Sequence, residues 1–305
     1  MIDFSVEIQL NVDGSAGDLG EVAYTWIDDL VTATVGDKRA ILAPMPVSAS
    51  AARKNLGEGD YLGLIRVTRP DPAGGFLAKE KERTLSDLGL AWLRRELTDF
   101  PESVLVTAGP IFMGLPGGDL GTSIQTYPES PGWLQMGASF RSSSFDESGQ
   151  RQWLERLRSF ADRWNPGFGH ISYDYSEGMT ALENRTDHVT WGVERTMPQH
   201  TIGQSRAWLR GYSWLTIVPQ ELAGKVGGAA GLRATGAFVQ VDELRNGGLW
   251  LLATENFQDY GIEAATPVFR ALAPILPPGL PKMYEGSPNQ PPVVLVPADP
   301  QATAG

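Results

Sequence analysis

The chain has 305 residues, 42% hydrophobic and 20% charged, with a formal net charge of −11 and no cysteine. That length buries a large core, and the composition is that of a globular protein rather than a disordered one. Disulfides, thiolate nucleophiles and thiolate metal sites are excluded, and an acidic chain is repelled by a phosphate backbone, so nucleic acid is a poor partner.

The acidity is uneven. Asp3, Glu7, Asp13, Asp18, Glu21, Asp28, Asp29 and Asp37 all precede the first basic residue, Lys38. Such a segment favours the approach of a basic protein, and it also serves simply to keep a surface solvated. The first residues carry neither a basic stretch nor an apolar run, and no segment approaches the ~18 apolar residues of a membrane span. The expectation is a cytoplasmic protein without a membrane partner.

Phe4, Val6, Ile8 and Leu10 alternate with polar residues, which predicts a half-buried opening strand. Over 22–35, Val22, Trp26, Ile27, Leu30 and Val31 fit a helical stripe whereas the β-branched end fits a strand, and helix is the preferred reading. Residues 41–52, with two prolines, read as a loop, and 61–68 as a strand. A helix is expected over 84–97, with Thr84 as its cap and Leu85, Leu88, Trp92 and Leu93 on its apolar side. A strand at 103–107 then leads to the glycine-rich loop 114–118.

A strand at 133–140 precedes an amphipathic helix at 149–164, closed by Asn165-Pro166-Gly167. Strands follow at 170–176 and 189–194. From 213 the signals are densest. An apolar run reaches Val218, Pro219 opens a short helix over 220–226, and Gly227-Gly228 stops it. Residues 229–236 read as a connector. Phe238, Val239 and Val241 begin a strand, which Arg245-Asn246-Gly247-Gly248 turns back into a partner over 249–254. A last helix is expected over 262–276, before a proline-rich tail with an edge strand at 293–296.

Residues 132–167 and 248–279 share one order: strand, polar turn, long helix, Pro-Gly. Residues 61–102 share it with an insertion. The predicted class is therefore α+β: a mixed or antiparallel sheet with helices packed on one face, built of two or more strand-helix-strand repeats or of that generic grammar. One body is expected over 1–280, with halves at 1–115 and 122–280, followed by a tail at 281–305.

No catalytic motif of high specificity is present: no Gly-x-Ser-x-Gly, His-Glu-x-x-His, Walker loop or Gly-x-Gly-x-x-Gly. His170, Asp174 and His188 form a conceivable metal-dependent site, although their spacing matches no established ligand pattern. No metal or cofactor is expected. Trp208, Tyr212 and Trp214 offer aromatic anchors for a protein partner, or else core packing, which is the commoner fate of such residues.

RGYSWLTIVPQELAGKVGG (210–228), LRATGAFVQV (232–241) and GGLWLLATE (247–255), followed by a helix ending in Leu-Pro-Pro-Gly, resemble the C-terminal half of the type VI immunity protein family, once known as a domain of unknown function. The resemblance spans 205–279, about a quarter of the chain. It implies a cytoplasmic antitoxin that binds and neutralises a cognate secreted toxin, with no catalytic residue of its own. On that reading Asp13, Asp18, Glu21, Asp28 and Asp29 steer a basic toxin, while Trp208, Tyr212 and Trp214 anchor it. The alternatives are the metal-dependent enzyme and a non-catalytic scaffold; the oligomeric state is left open.

Overall fold

The computed structural model describes residues 4–70, 78–175, 178–185, 197–283 and 291–303. The first strand, β1 (Ser5–Asp13), carries the expected alternation: Val6, Ile8, Leu10 and Val12 are fully buried. Its other face is buried too, with Gln9 and Asn11 at 0% exposure and Glu7 at 8%. The half-buried reading is corrected on this point: Gln9 and Asn11 go inside because their side-chain oxygens meet the buried Arg210 guanidinium.

Helix α1 (Leu19–Val35) begins where the Asp18 carboxylate accepts the backbone N–H groups of Gly20 and Glu21, and its stripe from Val22 to Val31 is buried. The expected loop at 41–52 instead holds two short helices, α2 (Arg39–Leu42) and α3 (Ala49–Arg53), the second capped by Ser48. Strand β2 (Tyr61–Arg69) is followed by β3 (Lys79–Thr84), whose sequence KEKERT has no apolar alternation. A charged edge strand needs none: among the described residues its only ladder is with β2, an isolated bridge from Arg83 to Ser48 covers its far end, and its charges deter further pairing.

Thr84 is thus the last residue of a strand and not a cap. Ser86 takes that role, accepting from Gly89 N–H at 3.1 Å, and α4 runs Asp87–Glu96. Its buried residues are Gly89, Leu90 and Leu93, whereas Leu88 is exposed. Strands β4 (Ser103–Phe112), β5 (Leu115–Pro116), β6 (Leu120–Gln125) and β7 (Trp133–Arg141) follow.

Asp146 caps α5 (Glu147–Trp164), and Asn165 ends it in the left-handed conformation at φ 45°. Next come β8 (Phe168–Tyr173), α6 (Ala181–Arg185), α7 (Pro198–Thr201), β9 (Leu215–Val218) and α8 (Gln220–Ala223). Pro219 caps α8 rather than standing inside it, and Gly227 and Gly228 both take positive φ as the stop requires. The 229–236 stretch is not a connector but α9 (Gly228–Thr235), despite its glycines.

Strands β10 (Gln240–Glu243) and β11 (Leu249–Leu252) form the expected hairpin, and Gly247 has φ 79° in the turn. Helix α10 (Ile262–Leu272) is extended by a 3-10 turn to Ile275. In the tail, residues 293–296 form no ladder, and a short α11 (Pro300–Thr303) follows. The strand expected at 189–194 lies outside the described residues.

Two compact units share the chain: a flanking unit of Met1–Ala16, Pro128–Trp133 and Arg141–Gly305, and an inserted unit of Gly17–Tyr127 and Leu134–Phe140. In the flanking unit the strand order is β10-β11-β9-β8-β1; in the inserted unit it is β7-β6-β4-β2-β3, with β5 on β4. Within each unit every pairing is antiparallel, so the class is α+β with antiparallel sheet. In the inserted unit, α3 packs on Leu62, Leu64 and Ile111. Trp26 of α1 reaches Thr122 on the opposite face of that sheet, donating to its hydroxyl at 2.9 Å. Helices therefore serve both faces there.

Candidate functional site

The polar face of β1 meets its partners inside the flanking unit, and the centre of the arrangement is Arg210, fully buried just before β9. Its Nε donates to Glu183 Oε1 at 2.7 Å and its Nη2 to Glu183 Oε2 at 2.9 Å, a bidentate pair. Nη1 donates to Asn11 Oδ1 and Gln9 Oε1, and Nη2 also to the Gly178 carbonyl. Glu183 is equally well held. Thr180 N–H and the Thr201 hydroxyl donate to its two oxygens, while Glu183 N–H donates back to Thr180 Oγ1, a capping box at the start of α6. Through these bonds the pair ties β1, the start of α6 and the segment before β9 together.

Beside it lies a less settled pair. His170 Nε2 stands 3.7 Å from Glu7 Oε2, both side chains are buried, and neither atom has a hydrogen-bond partner among the described residues. Burial pushes the Glu7 carboxyl above its ordinary range, and the pull of His170 and Arg210 in the other direction does not cancel it. His170 lines a pocket with Ser172, Tyr175, Tyr212, Tyr260 and Val294. The free space there is on the order of one water molecule, too small for a substrate as it stands. Asp174 follows on the same strand face, His188 lies outside the described residues, and no cluster of three metal-ligating side chains occurs among the described ones.

A raised carboxyl in the folded state binds its proton more tightly than in the unfolded chain. The stability it contributes is present below pH 4.5, the ordinary value, and is lost as pH rises through the folded value. Glu7→Gln is therefore expected to melt at a higher temperature than the parent at pH 7 and at the same temperature at pH 4. Thermal melts across that range check it, and a parent that gains on the variant with rising pH would refute it.

The acids singled out by sequence are divided between the two units, and some already have partners. Asp13, in the flanking unit, receives Arg206 Nε at 2.7 Å and Nη2 at 3.1 Å, and Arg206 also grips Glu221 and the Asn165 carbonyl. Burial alone would raise the Asp13 carboxyl, but the hydrogen bonds from Arg206 and Ser15 outweigh it and hold it below the usual range. The other four belong to the inserted unit. Glu21 is bound bidentately by Arg94, Asp18 is the exposed cap of α1, Asp28 is exposed and Asp29 half-buried on that helix.

Of the aromatics, Trp214 is fully buried and Tyr212 is 3% exposed, so neither presents surface to a partner, and the anchor reading is corrected for both. Trp214 packs edge-on to Phe145 and Phe257. Tyr212 accepts Val296 N–H at 2.9 Å, and Tyr175 donates to the Pro292 carbonyl, which straps the described part of the proline-rich tail with Val294 and Leu295 inside. Trp208 is half-buried, with Lys225 Nζ over its ring at 5.9 Å. What sequence reasoning missed is Arg210: its partners Gln9 and Asn11 lie about 200 residues away, and only the paired polar positions of β1 hinted at them.

Among the described residues no helix is long and apolar enough to cross a membrane. No family model matches the sequence, and no curated protein matches it. Among solved structures the chain is similar in fold to the Pseudomonas aeruginosa T6SS protein PA0821, with a TM-score of 0.55 and 14% identity over 98% of this chain and 81% of that one.

Proposed function

We propose that this chain is an immunity protein that neutralises a cognate secreted toxin by occupying it, in the cytoplasm of the cell that makes both. The observation that carries the reading is a likeness of fold, along nearly the whole chain, to a T6SS protein. The resemblance of 205–279 to the type VI immunity family agrees with it. Those residues fold as β9, α8, α9, β10, β11 and α10. Occupying a partner requires shape and charge and no turnover, and the net charge of −11 suits a basic toxin.

The test is rescue. If a gene adjacent to this one encodes a secreted toxin, cells expressing that toxin are expected to survive when the chain is co-expressed, and the two purified proteins to co-elute. Cell death with no complex would end the proposal. Steering is tested separately on α1. Asp18→Asn keeps a competent cap while removing charge, and combined with Asp28→Asn and Asp29→Asn it is expected to lower the association rate roughly 3–10-fold at low salt and to flatten its salt dependence. An unchanged rate in stopped flow would remove steering from the account.

A further inference from the structure

The inserted unit displays an apolar surface that its own core does not use. Between β4 and β5 the chain turns at Phe112, Met113, Gly114 and Leu115, and the three large side chains are 72%, 80% and 56% exposed. Contiguous exposure of this kind is uncommon on a surface with no partner.

The turn is also firmly built. Met113 holds φ 51°, a left-handed conformation that a non-glycine residue adopts at a cost. The Glu58 carboxylate holds it there by accepting the N–H groups of Met113 and Gly114 at 3.2 and 3.3 Å. Ile111 exchanges backbone hydrogen bonds with Gly59 and Asp60, at 3.0 and 2.8 Å. Behind the turn, Gly109 faces the Gly117 carbonyl so closely that a Cβ would lie 1.9 Å from its oxygen. Side chains that are merely tolerated on a surface do not require such support.

Charge identifies the occupant. Residues 103–119 contain no Lys, Arg or His, and the base of the hairpin is flanked by the exposed carboxylates of Glu58, Asp60 and Asp119. Lys38, the cation whose field reaches Asp119, is already held by Asp37 at 2.8 Å. An apolar tip with an acidic collar complements an apolar cleft with a basic rim. We propose that Phe112, Met113 and Leu115 form a finger that enters such a cleft in a protein partner. Resting on the immunity reading, the inference makes that partner the toxin and this hairpin the part that fills it.

The experiment uses the full chain and the neighbouring product, the purified toxin that the rescue experiment identifies. Phe112→Ser with Met113→Ser is expected to weaken binding ~30–100-fold, as loss of two central anchors does, with circular dichroism and melting temperature unchanged because both side chains lie in solvent. Phe112→Leu with Met113→Leu is expected to keep most of the affinity, and Asp119→Lys to lose ~10-fold through the collar. If the parent binds and the double serine variant binds equally well, the finger is wrong and the immunity reading stands. If the parent does not bind the neighbouring product, both fall. If sedimentation shows the parent self-associating and the serine variant monomeric, the occupant is a second copy of this chain and the proposal is overturned.

Discussion

Arg210→Met is expected to cost the protein about 3–5 kcal/mol, read as a large fall in the urea midpoint, because it strands Glu183 as a buried carboxylate without its cation. Thr201 and Thr180 would still donate to it, but two neutral donors do not replace a bidentate guanidinium. Gln9 and Asn11 would lose their donor in the same step. Arg210→Lys is expected to fall nearly as far, since a compact ammonium cannot reach Glu183, Gln9, Asn11 and the Gly178 carbonyl from one point. The informative variant is the double one. Arg210→Met with Glu183→Leu removes both charges and should recover a substantial part of the loss. A single Arg210→Met variant unfolding at the parent's midpoint would show that the pair contributes nothing.

In the inserted unit the comparable position is Trp26. It is fully buried on α1, its indole N–H donates to Thr122 Oγ1 at 2.9 Å, and that hydroxyl passes its own proton to the Gly137 carbonyl at 2.6 Å. Helix and sheet are thus joined by both packing and a hydrogen-bond chain. Trp26→Ala is expected to cost about 3–5 kcal/mol through the cavity it leaves. Trp26→Phe should cost about 1–2 kcal/mol, since it retains most of the apolar volume and loses the donor. Chemical denaturation of the two variants separates volume from hydrogen bond, and equal losses would mean that the bond carries the whole effect.

Elements with a strong internal rhythm were legible from residues alone. Helix α5 shows its apolar face and its Asn-Pro-Gly stop, and the β10–β11 hairpin shows its Asn-Gly turn between apolar runs. Elements decided by distant partners were not. KEKERT pairs as β3 only because Leu64 to Arg69 of β2 lie alongside it, and nothing in its own pattern requires a strand. The glycines of α9 mask a helix that buries just Leu232. Thr84 and Ser86 are equally good caps on paper, and the choice falls to Ser86 because Thr84 is already bound in the sheet. The candidate site divides in the same way. A count of acids ahead of Lys38 foresaw negative charge, but not that Arg206 would take up Asp13 and Arg94 would take up Glu21. Tyr212 and Trp214 illustrate a general limit: a large aromatic beside an arginine reads alike whether it faces solvent or the interior.

The pairing of β1 with β8 has a consequence for how the molecule is made. Asn11 and Phe168 are neighbours in the finished sheet, yet the ribosome delivers them apart, at ~5–20 residues per second, by roughly ten to thirty seconds. During that interval the whole inserted unit emerges, while the earliest strand waits with four aliphatic side chains and three polar ones not yet covered by β8 and Arg210. The nascent chain therefore keeps its first strand in reserve, and the polar residues that later grip the guanidinium make that strand a less adhesive target in the meantime.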